Sequence, residues 1–99
     1  MAKFDAYGLR DGSGIVLDCQ ADLLGDLNTR FVVPLLFEEE APRPAARLNP
    51  IFEVQGRRVV MATQFAAAIG VKELGERVAS LVKEQDAIGN ALDMLISGF

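Results

Sequence analysis

The sequence predicts a mainly β domain in which antiparallel strands are followed by one C-terminal α-helix. In several short runs, apolar and polar residues alternate with a period of two, which is typical of strands. Between Ile51 and Ala62, a hairpin register brings complementary side chains together. From about Leu81 the apolar spacing becomes helical. With 99 residues, the chain has the length of one compact domain, so we expect residues 1–99 to form a single domain.

The first two predicted strands flank a turn-rich stretch, Arg10–Gly14. The first strand covers Ala2–Leu9 and the second covers Ile15–Gln20. In the second strand the odd-numbered residues are apolar, so we expect them to be buried and the even-numbered residues to be partly exposed. Cys19 falls on the buried face, where a free thiol behaves as a small, unreactive apolar group.

The segment that follows, Ala21–Asn28, is polar at both ends but contains three leucines: Leu23, Leu24 and Leu27. A simple solvent-exposed loop does not require so many large apolar side chains. The composition therefore predicts a docking or interface role for this segment.

A third strand is predicted over Thr29–Leu36. Pro34 has no backbone N–H, which favours an edge position or a bulge at the end of this strand. Next come three consecutive acids, Glu38–Glu40, and the proline-rich Ala41–Pro44. We expect this part of the chain to be an exposed connection in which the acids form a solvated face.

The clearest hairpin is Ile51–Ala62, with Gln55 and Gly56 as its two-residue turn. The resulting register pairs Val54 with Arg57, Glu53 with Arg58 and Phe52 with Val59. One pair is apolar and one joins opposite charges, so Glu53 is the expected partner of Arg58. The following Gln64–Gly70 fits either a short strand or an irregular crossing, and the pattern of Val71–Ser80 predicts no particular element.

The C-terminal helix is predicted to begin near Leu81. Its apolar face contains Leu81, Ile88, Leu92 and Leu95. From Glu84 onward the sequence has acids but neither lysine nor arginine. Asp93 lies near the C-terminus of the helix, where a negative charge opposes the helix dipole. Two interpretations stay open: a basic partner docks on this helix, or the helix shares the acidic surface of the whole protein.

The composition excludes several classes of function. There is no histidine and only one cysteine, which excludes zinc sites of Cys and His ligands, histidine-dependent triads and disulfide frameworks. The net charge of −4 disfavours direct nucleic-acid binding. Neither a signal peptide nor a membrane span is expected, because the longest apolar run is Phe31–Phe37 and spanning requires ~20 residues. We expect a soluble, cytoplasmic domain that self-associates, since 51% of its residues are hydrophobic.

Few residues suit catalysis. A ribonuclease without histidine could use Arg30 with Thr29, but Arg30 is also a candidate ion-pair partner for Asp18 on the neighbouring strand. Asp18, Asp22 and Asp26 would form a carboxylate cluster only on a helix, and the strand pattern opposes a helix there. Neither a metal nor a cofactor is expected.

Over its whole length the chain resembles the CcdB family of toxins, which belong to toxin–antitoxin pairs and poison DNA gyrase. The most specific stretch is Val16–Leu24 leading into Thr29–Leu35. It is similar to the family pattern of a hydrophobic residue, Asp, any residue, Gln, Ser, Asp and two aliphatics, followed by Arg, three aliphatics, Pro and Leu. Val60–Gln64 and Asn90–Phe99 are also similar to the corresponding family segments.

The resemblance implies an SH3-like barrel of antiparallel strands with a C-terminal helix, a homodimer, and no catalysis. In the family, the terminal residues of both protomers contact the dimerisation region of the DNA gyrase A subunit and trap gyrase in its DNA-cleaved state. The matching gyrase-binding positions here are Ser97, Gly98 and Phe99, with Leu23, Leu24, Asp93 and Ile96 as neighbouring contributors. A disordered segment of the antitoxin CcdA wraps the toxin, so a CcdA-like antitoxin is implied as a second partner.

One departure from the family pattern concerns the last three residues. The best-known pattern ends in Trp-Gly-Ile, whereas this sequence has Ser97, Gly98 and Phe99. A tryptophan ring stacked on an arginine contributes up to ~2 kcal/mol through cation–π attraction, so its loss predicts weaker gyrase capture unless Phe99 compensates. Two alternatives stay open: a ribonuclease toxin of the related MazF and Kid barrel group, and a dimeric binding homologue without toxicity.

Overall fold

The computed structural model describes residues 2–98, in which one curled antiparallel sheet packs against one α-helix. The elements are β1 (Asp5–Leu9), β2 (Ile15–Asp18), β3 (Thr29–Phe37), β4 (Ile51–Val54), β5 (Arg57–Met61), β6 (Ala67–Gly70), β7 (Leu74–Ser80) and α1 (Gln85–Ser97). The sheet order is β4-β5-β3-β2-β1-β7, and β6 pairs with the first half of β3. The expected mainly β fold with a C-terminal helix is confirmed, and the sheet forms a half-barrel.

The curl brings the two ends of the sheet together. Phe52 and Val54 of β4 pack in the same core as Val78 and Ala79 of β7. At the turn between β4 and β5, the Gln55 side-chain Nε2 donates a hydrogen bond to the carbonyl oxygen of Val78, at 3.3 Å. The two outer strands are therefore linked by side chains and not by a backbone ladder.

The hairpin of β1 and β2 forms as predicted, with Ala6 opposite Leu17. The prediction that the even-numbered residues of β2 are partly exposed is wrong, because Val16, Asp18 and Gln20 are all buried. A second, smaller apolar cluster of Tyr7, Val16, Val32 and Leu74 covers the face opposite the main core. This part of the sheet is consequently buried on both faces.

Strand β3 is central in the sheet, so the prediction that Pro34 marks an edge or a bulge is wrong. On one side β3 pairs with β2 from Val32 to Leu35, and on the other side its partner changes from β6 to β5. The carbonyl oxygen of Pro34 accepts a hydrogen bond from Ala62 N–H at 2.9 Å, on the side of this change. Because the N and O atoms of a strand residue point to the same side, the proline nitrogen faces the gap between β6 and β5.

The hairpin of β4 and β5 has the predicted register. Its turn residues Gln55 and Gly56 have φ values of 52° and 80°, as a two-residue hairpin turn requires. The predicted side-chain partner of Arg58 is wrong. Glu53 is opposite in the backbone register, but the guanidinium bonds both carboxylate oxygens of Glu38, at 2.9 and 3.1 Å. A guanidinium that bonds both oxygens of a carboxylate binds more strongly than a single hydrogen bond does. The hydrogen bonds from Arg58 lower the pKa of Glu38.

The predicted connection after β3 is confirmed as exposed at Glu38–Glu40, which forms a 3₁₀ turn. The loop that continues to β4 is anchored by the buried Asn49. Its side-chain oxygen accepts from Ala45 N–H at 3.1 Å, and its amide nitrogen donates to the Met61 carbonyl at 3.0 Å. Thr63 donates to the carbonyl of Leu48 at 2.5 Å. The segment Val60–Gln64, one of the family-like stretches, thus anchors this loop.

Each of the two segments that the sequence left open contains a strand. β6 pairs with β3 from Thr29 to Val32, and β7 pairs with β1 in a register that shifts twice. Gly75 permits this close approach, since a Cβ atom there would lie 2.9 Å from the carbonyl oxygen of Gly8. Pairing with β1 and β3 therefore decides the structure of both segments.

Helix α1 begins at Gln85, after a 3₁₀ turn over Val82–Glu84, and not near Leu81. Ile88 and Ala91 are fully buried in the main core, whereas Leu95 is 42% exposed. The predicted apolar face is therefore buried at Ile88 but not at Leu95, because the last turn of α1 extends past the core on which the helix packs. Within residues 2–98, there is no helix of sufficient length and apolarity to cross a membrane.

Candidate binding surface

Most of the residues predicted to bind a partner lie in the sequence at or just after the end of α1. Asp93, Ser97 and Gly98 are exposed, and 75% of the Ile96 side chain is accessible. Phe99, the remaining predicted residue of this group, lies outside the described residues. An apolar side chain next to an acid at a helix end is a surface that favours protein contact over solvent.

Gly98 ends the helix in a specific conformation. Its φ of 78° is left-handed, and its N–H donates to the Met94 carbonyl at 3.0 Å. This is the arrangement in which glycine commonly follows the last helical residue, because other residues are strained there. The helical conformation therefore ends after Ser97.

The second group of predicted residues lies on an exposed turn between β2 and β3. Asp22–Leu24 forms a 3₁₀ turn, and every residue from 21 to 29 is exposed. Leu23 is 93% exposed, and Leu24 and Leu27 are about half exposed. We call Ala21–Asn28 the leucine turn. Three exposed leucines so close together form an apolar patch with no partner in the described part of the chain.

The leucine turn is anchored by a buried ion pair beneath it. The Arg30 Nη2 atom lies 2.5 Å from Asp18 Oδ2, and both side chains are almost completely buried. The pairing of Arg30 with Asp18 that the sequence suggested is confirmed. The other carboxylate oxygen of Asp18 accepts a hydrogen bond from Gln20 N–H at 3.0 Å.

The side chains of Gln20 and Asp22 complete the anchoring. Gln20 donates through Nε2 to the Leu24 carbonyl and accepts at Oε1 from Phe31 N–H, each at 2.9 Å. Asp22 accepts a hydrogen bond from the backbone N–H of Lys3 at 2.8 Å. These roles of Gln20 and Asp22 were not predicted from the sequence, although the family pattern of Asp, any residue, Gln and later Arg includes Gln20 and its neighbours.

The two candidate surfaces lie on separate elements. Among residues 2–98, hydrogen bonds and salt bridges do not join the leucine turn to α1. The acids at positions 18, 22 and 26 do not converge, and the described residues include no group of three potential metal ligands. An open cavity of about 280 Å³ lies elsewhere, between the β1–β2 turn and Lys72–Glu73.

Cys19 is buried and forms no disulfide, as predicted. Burial raises the pKa of its thiol to about 12, so the reactive thiolate is scarce at neutral pH. The nearby carboxylate of Asp18 acts in the same direction. Cys19 is therefore a core residue and not a nucleophile.

Comparison with known proteins decides the family. The family model described as CcdB protein matches residues 3–98, which is nearly the whole chain. This protein belongs to the CcdB family. The resemblance stated from the sequence is confirmed, and with it the assignment to the toxins of toxin–antitoxin systems. No curated protein sequence matches this CcdB-family chain.

Solved structures with the same fold include two mycobacterial proteins. The Mycobacterium tuberculosis toxin MazF-mt6 is similar with a TM-score of 0.75 and 14% identity, over 93% of this chain and 94% of that one. An endoribonuclease in complex with its cognate antitoxin, from Mycobacterial species, has the same TM-score and identity over 97% and 94% of the two chains. At this identity the likeness establishes the barrel-like fold of the CcdB-family protein and not its activity.

Proposed function

We propose that this CcdB-family protein poisons DNA gyrase by binding its A subunit and trapping the gyrase–DNA cleavage complex. The observation that carries the proposal is the exposed end of α1. There Ile96 is largely accessible, and Gly98 ends the helix after Ser97 in a left-handed conformation. The same positions match the gyrase-binding residues of the family, and Phe99 completes the set.

The leucine turn supplies a second contact region. Leu23 and Leu24 match family positions that contribute to gyrase binding, and both are accessible without any rearrangement. Burial of large apolar side chains in an interface contributes to the binding free energy, because it removes their surface from water. Asp93 adds a negative charge that complements a basic surface on the partner.

Binding without bond-making is the mechanism that we propose. The ribonuclease alternative depends on Arg30, but its side chain is 2% exposed and is paired with Asp18. An arginine buried in this way is not accessible to an RNA phosphate. The net charge of −4 opposes RNA capture further. These observations favour a gyrase inhibitor over an enzyme.

The assembly that we propose is a homodimer in the cytoplasm, neutralised by a CcdA-like antitoxin. Large apolar side chains remain exposed outside the two candidate surfaces, including Ile51 and Phe65. Such exposure in a single chain favours burial against a second chain. A two-fold dimer would present two copies of each gyrase-binding surface.

Inducing the protein in a sensitive bacterium is expected to cause double-strand DNA breaks while bulk messenger RNA stays intact. DNA length on pulsed-field gels and RNA integrity on denaturing gels check this from the same culture. A matched culture that carries the uninduced gene provides the control. RNA fragments without DNA breaks would contradict the proposal in favour of a ribonuclease, and normal growth would contradict it in favour of the non-toxic homologue.

The variant Leu23→Asp is expected to weaken binding to a gyrase A fragment by about tenfold or more, because it places a charge in an apolar contact. Its thermal midpoint should stay within about 2 °C of the parent, because the Leu23 side chain is almost fully exposed in the free protein. Surface plasmon resonance and calorimetry measure the two quantities.

The matched control is Val82→Asp, which introduces the same charge at another exposed apolar residue. Equal loss of affinity in both variants would indicate a general charge effect and argue against the leucine turn as a contact.

A further inference from the structure

We propose that Gln20 is a positioning residue, which holds the leucine turn in one conformation and so presents Leu23 and Leu24 as a preformed surface. The identity of the partner rests on the proposed function, but the positioning role does not. The assignment follows from the two hydrogen bonds of one buried amide group.

Besides Gln20, two hydrogen bonds tie the ends of the leucine turn to the rest of the domain: Asp22 Oδ1 accepts from Lys3 N–H, and the Asn28 carbonyl accepts from Val71 N–H. All residues from 21 to 29 are exposed, so the turn buries little apolar surface against the domain. Segments with few buried contacts open readily unless hydrogen bonds hold them. Within the turn the backbone bonds are local, from Leu24 N–H to the Ala21 carbonyl and from Gly25 N–H to the Asp22 carbonyl.

Gln20 connects the turn to the sheet through both ends of its amide. Nε2 reaches the Leu24 carbonyl, and Oε1 reaches the N–H of Phe31 on β3, each at 2.9 Å. A carbonyl only accepts and an N–H only donates, so the amide has one satisfactory orientation. Leu24 is thereby tied directly to the central strand.

The backbone of Gln20 is itself fixed from below. Asp18 accepts its N–H with one carboxylate oxygen and binds Arg30 with the other. A continuous series of hydrogen bonds therefore runs from the buried Asp18–Arg30 ion pair through Gln20 to the Leu24 carbonyl in the leucine turn. A contact surface ordered in advance loses less conformational entropy when it binds.

The test is Gln20→Met, which keeps the volume of the side chain and removes both hydrogen bonds. Hydrogen–deuterium exchange should show protection in residues 22–27 falling about tenfold or more, while protection of β1, β2 and β5 is unchanged. The matched control is Gln55→Met, which also removes a bond from a glutamine to a backbone carbonyl but lies at the β4–β5 turn. It should leave the leucine turn unchanged.

A second variant, Gln20→Glu, keeps an acceptor for Phe31 and replaces the donor to Leu24 with a carboxylate oxygen. Turn protection should be low at pH 7 and recover on acidification, because a protonated carboxyl group can donate to the Leu24 carbonyl again. This recovery distinguishes positioning from a general loss of packing, and the variant serves also if Gln20→Met does not fold.

Unaltered turn protection in both variants would overturn the proposal, and so would loss of protection spread over the whole sheet. Binding to a gyrase A fragment, measured alongside, should weaken in Gln20→Met and not in Gln55→Met. If the parent protein itself does not bind gyrase, the proposed function fails, and the exchange result still decides the role of Gln20.

Discussion

Deleting Ser97, Gly98 and Phe99 is expected to abolish killing while the folded domain and antitoxin binding persist. Ser97 and Gly98 lie beyond the buried part of α1, so their removal takes no side chain from the core. The deletion removes from the proposed docking surface both Gly98, which ends the helix, and the aromatic Phe99. Colony counts after induction should rise by several orders of magnitude, as expected when an anchor at the centre of an interface is removed.

The stability of the truncated protein is the accompanying measurement. Its thermal midpoint should change by only a few degrees, because Ser97 and Gly98 contribute the end of the helix and not core packing. Val82→Ser, at an exposed residue before the helix, serves as the control and should continue to kill. A truncated protein that folds and still kills would show that these residues are not the gyrase-binding element.

The variant Arg30→Met is expected to lower the free energy of unfolding by about 3–5 kcal/mol, since it leaves the buried carboxylate of Asp18 without its counter-charge. Both side chains of this pair are buried, so water cannot compensate for the missing partner. This is a large part of the stability of a domain of this size, which is ~5–15 kcal/mol. Urea unfolding followed by circular dichroism measures the change.

Two further variants identify the cause of this loss. When Asp18→Asn is combined with Arg30→Met, no charge is left buried at this site. The new side-chain amide oxygen at position 18 can still accept from Gln20 N–H, so much of the stability should return. Arg58→Met breaks the exposed pair with Glu38 and should have little effect, because water replaces the lost contact. If the exposed variant costs as much as Arg30→Met, burial of the Asp18–Arg30 pair is not what makes it important.

Local sequence patterns were sufficient for several elements. The register of the β4–β5 hairpin follows from its turn residues and from two complementary pairs, all within about a dozen residues. Burial of Cys19, Ile88 and Ala91 is consistent with the period of their elements. These elements depend on contacts between neighbours in the sequence, which the period of a pattern reports directly.

Elements that depend on distant partners were not predictable in the same way. β7 is largely exposed and irregular, and it is a strand because β1 pairs with it. Burial of Val16 required a second apolar cluster assembled from β1, β2, β3 and β7. The strand that pairs with β3 changes from β6 to β5 at Pro34, so the missing N–H of this proline costs no hydrogen bond of the sheet.

The same distinction applies to the candidate site, where some residues were predictable from the sequence and others were not. The leucines at 23 and 24 and the end of the last helix were identified from the sequence, by unusual composition and by family resemblance. The anchoring role of Gln20 was not, because it depends on Phe31 and Leu24 being on opposite sides of one side chain. The family pattern contains Asp18, Gln20 and Arg30, but the pattern did not show that these residues anchor the leucine turn.

By itself, the sequence determined the family, the mainly β character and which residues carry the apolar, acidic C-terminal surface. Those properties depend on residue types and on short-range spacing, because each side chain acts mainly on the backbone next to it. Only the tertiary structure decided which side of each strand is covered, which acid each arginine binds, and how far the last helix extends past its core. These outcomes depend on groups far apart in the chain, whose meeting is set by packing of the whole sheet and not by local preference.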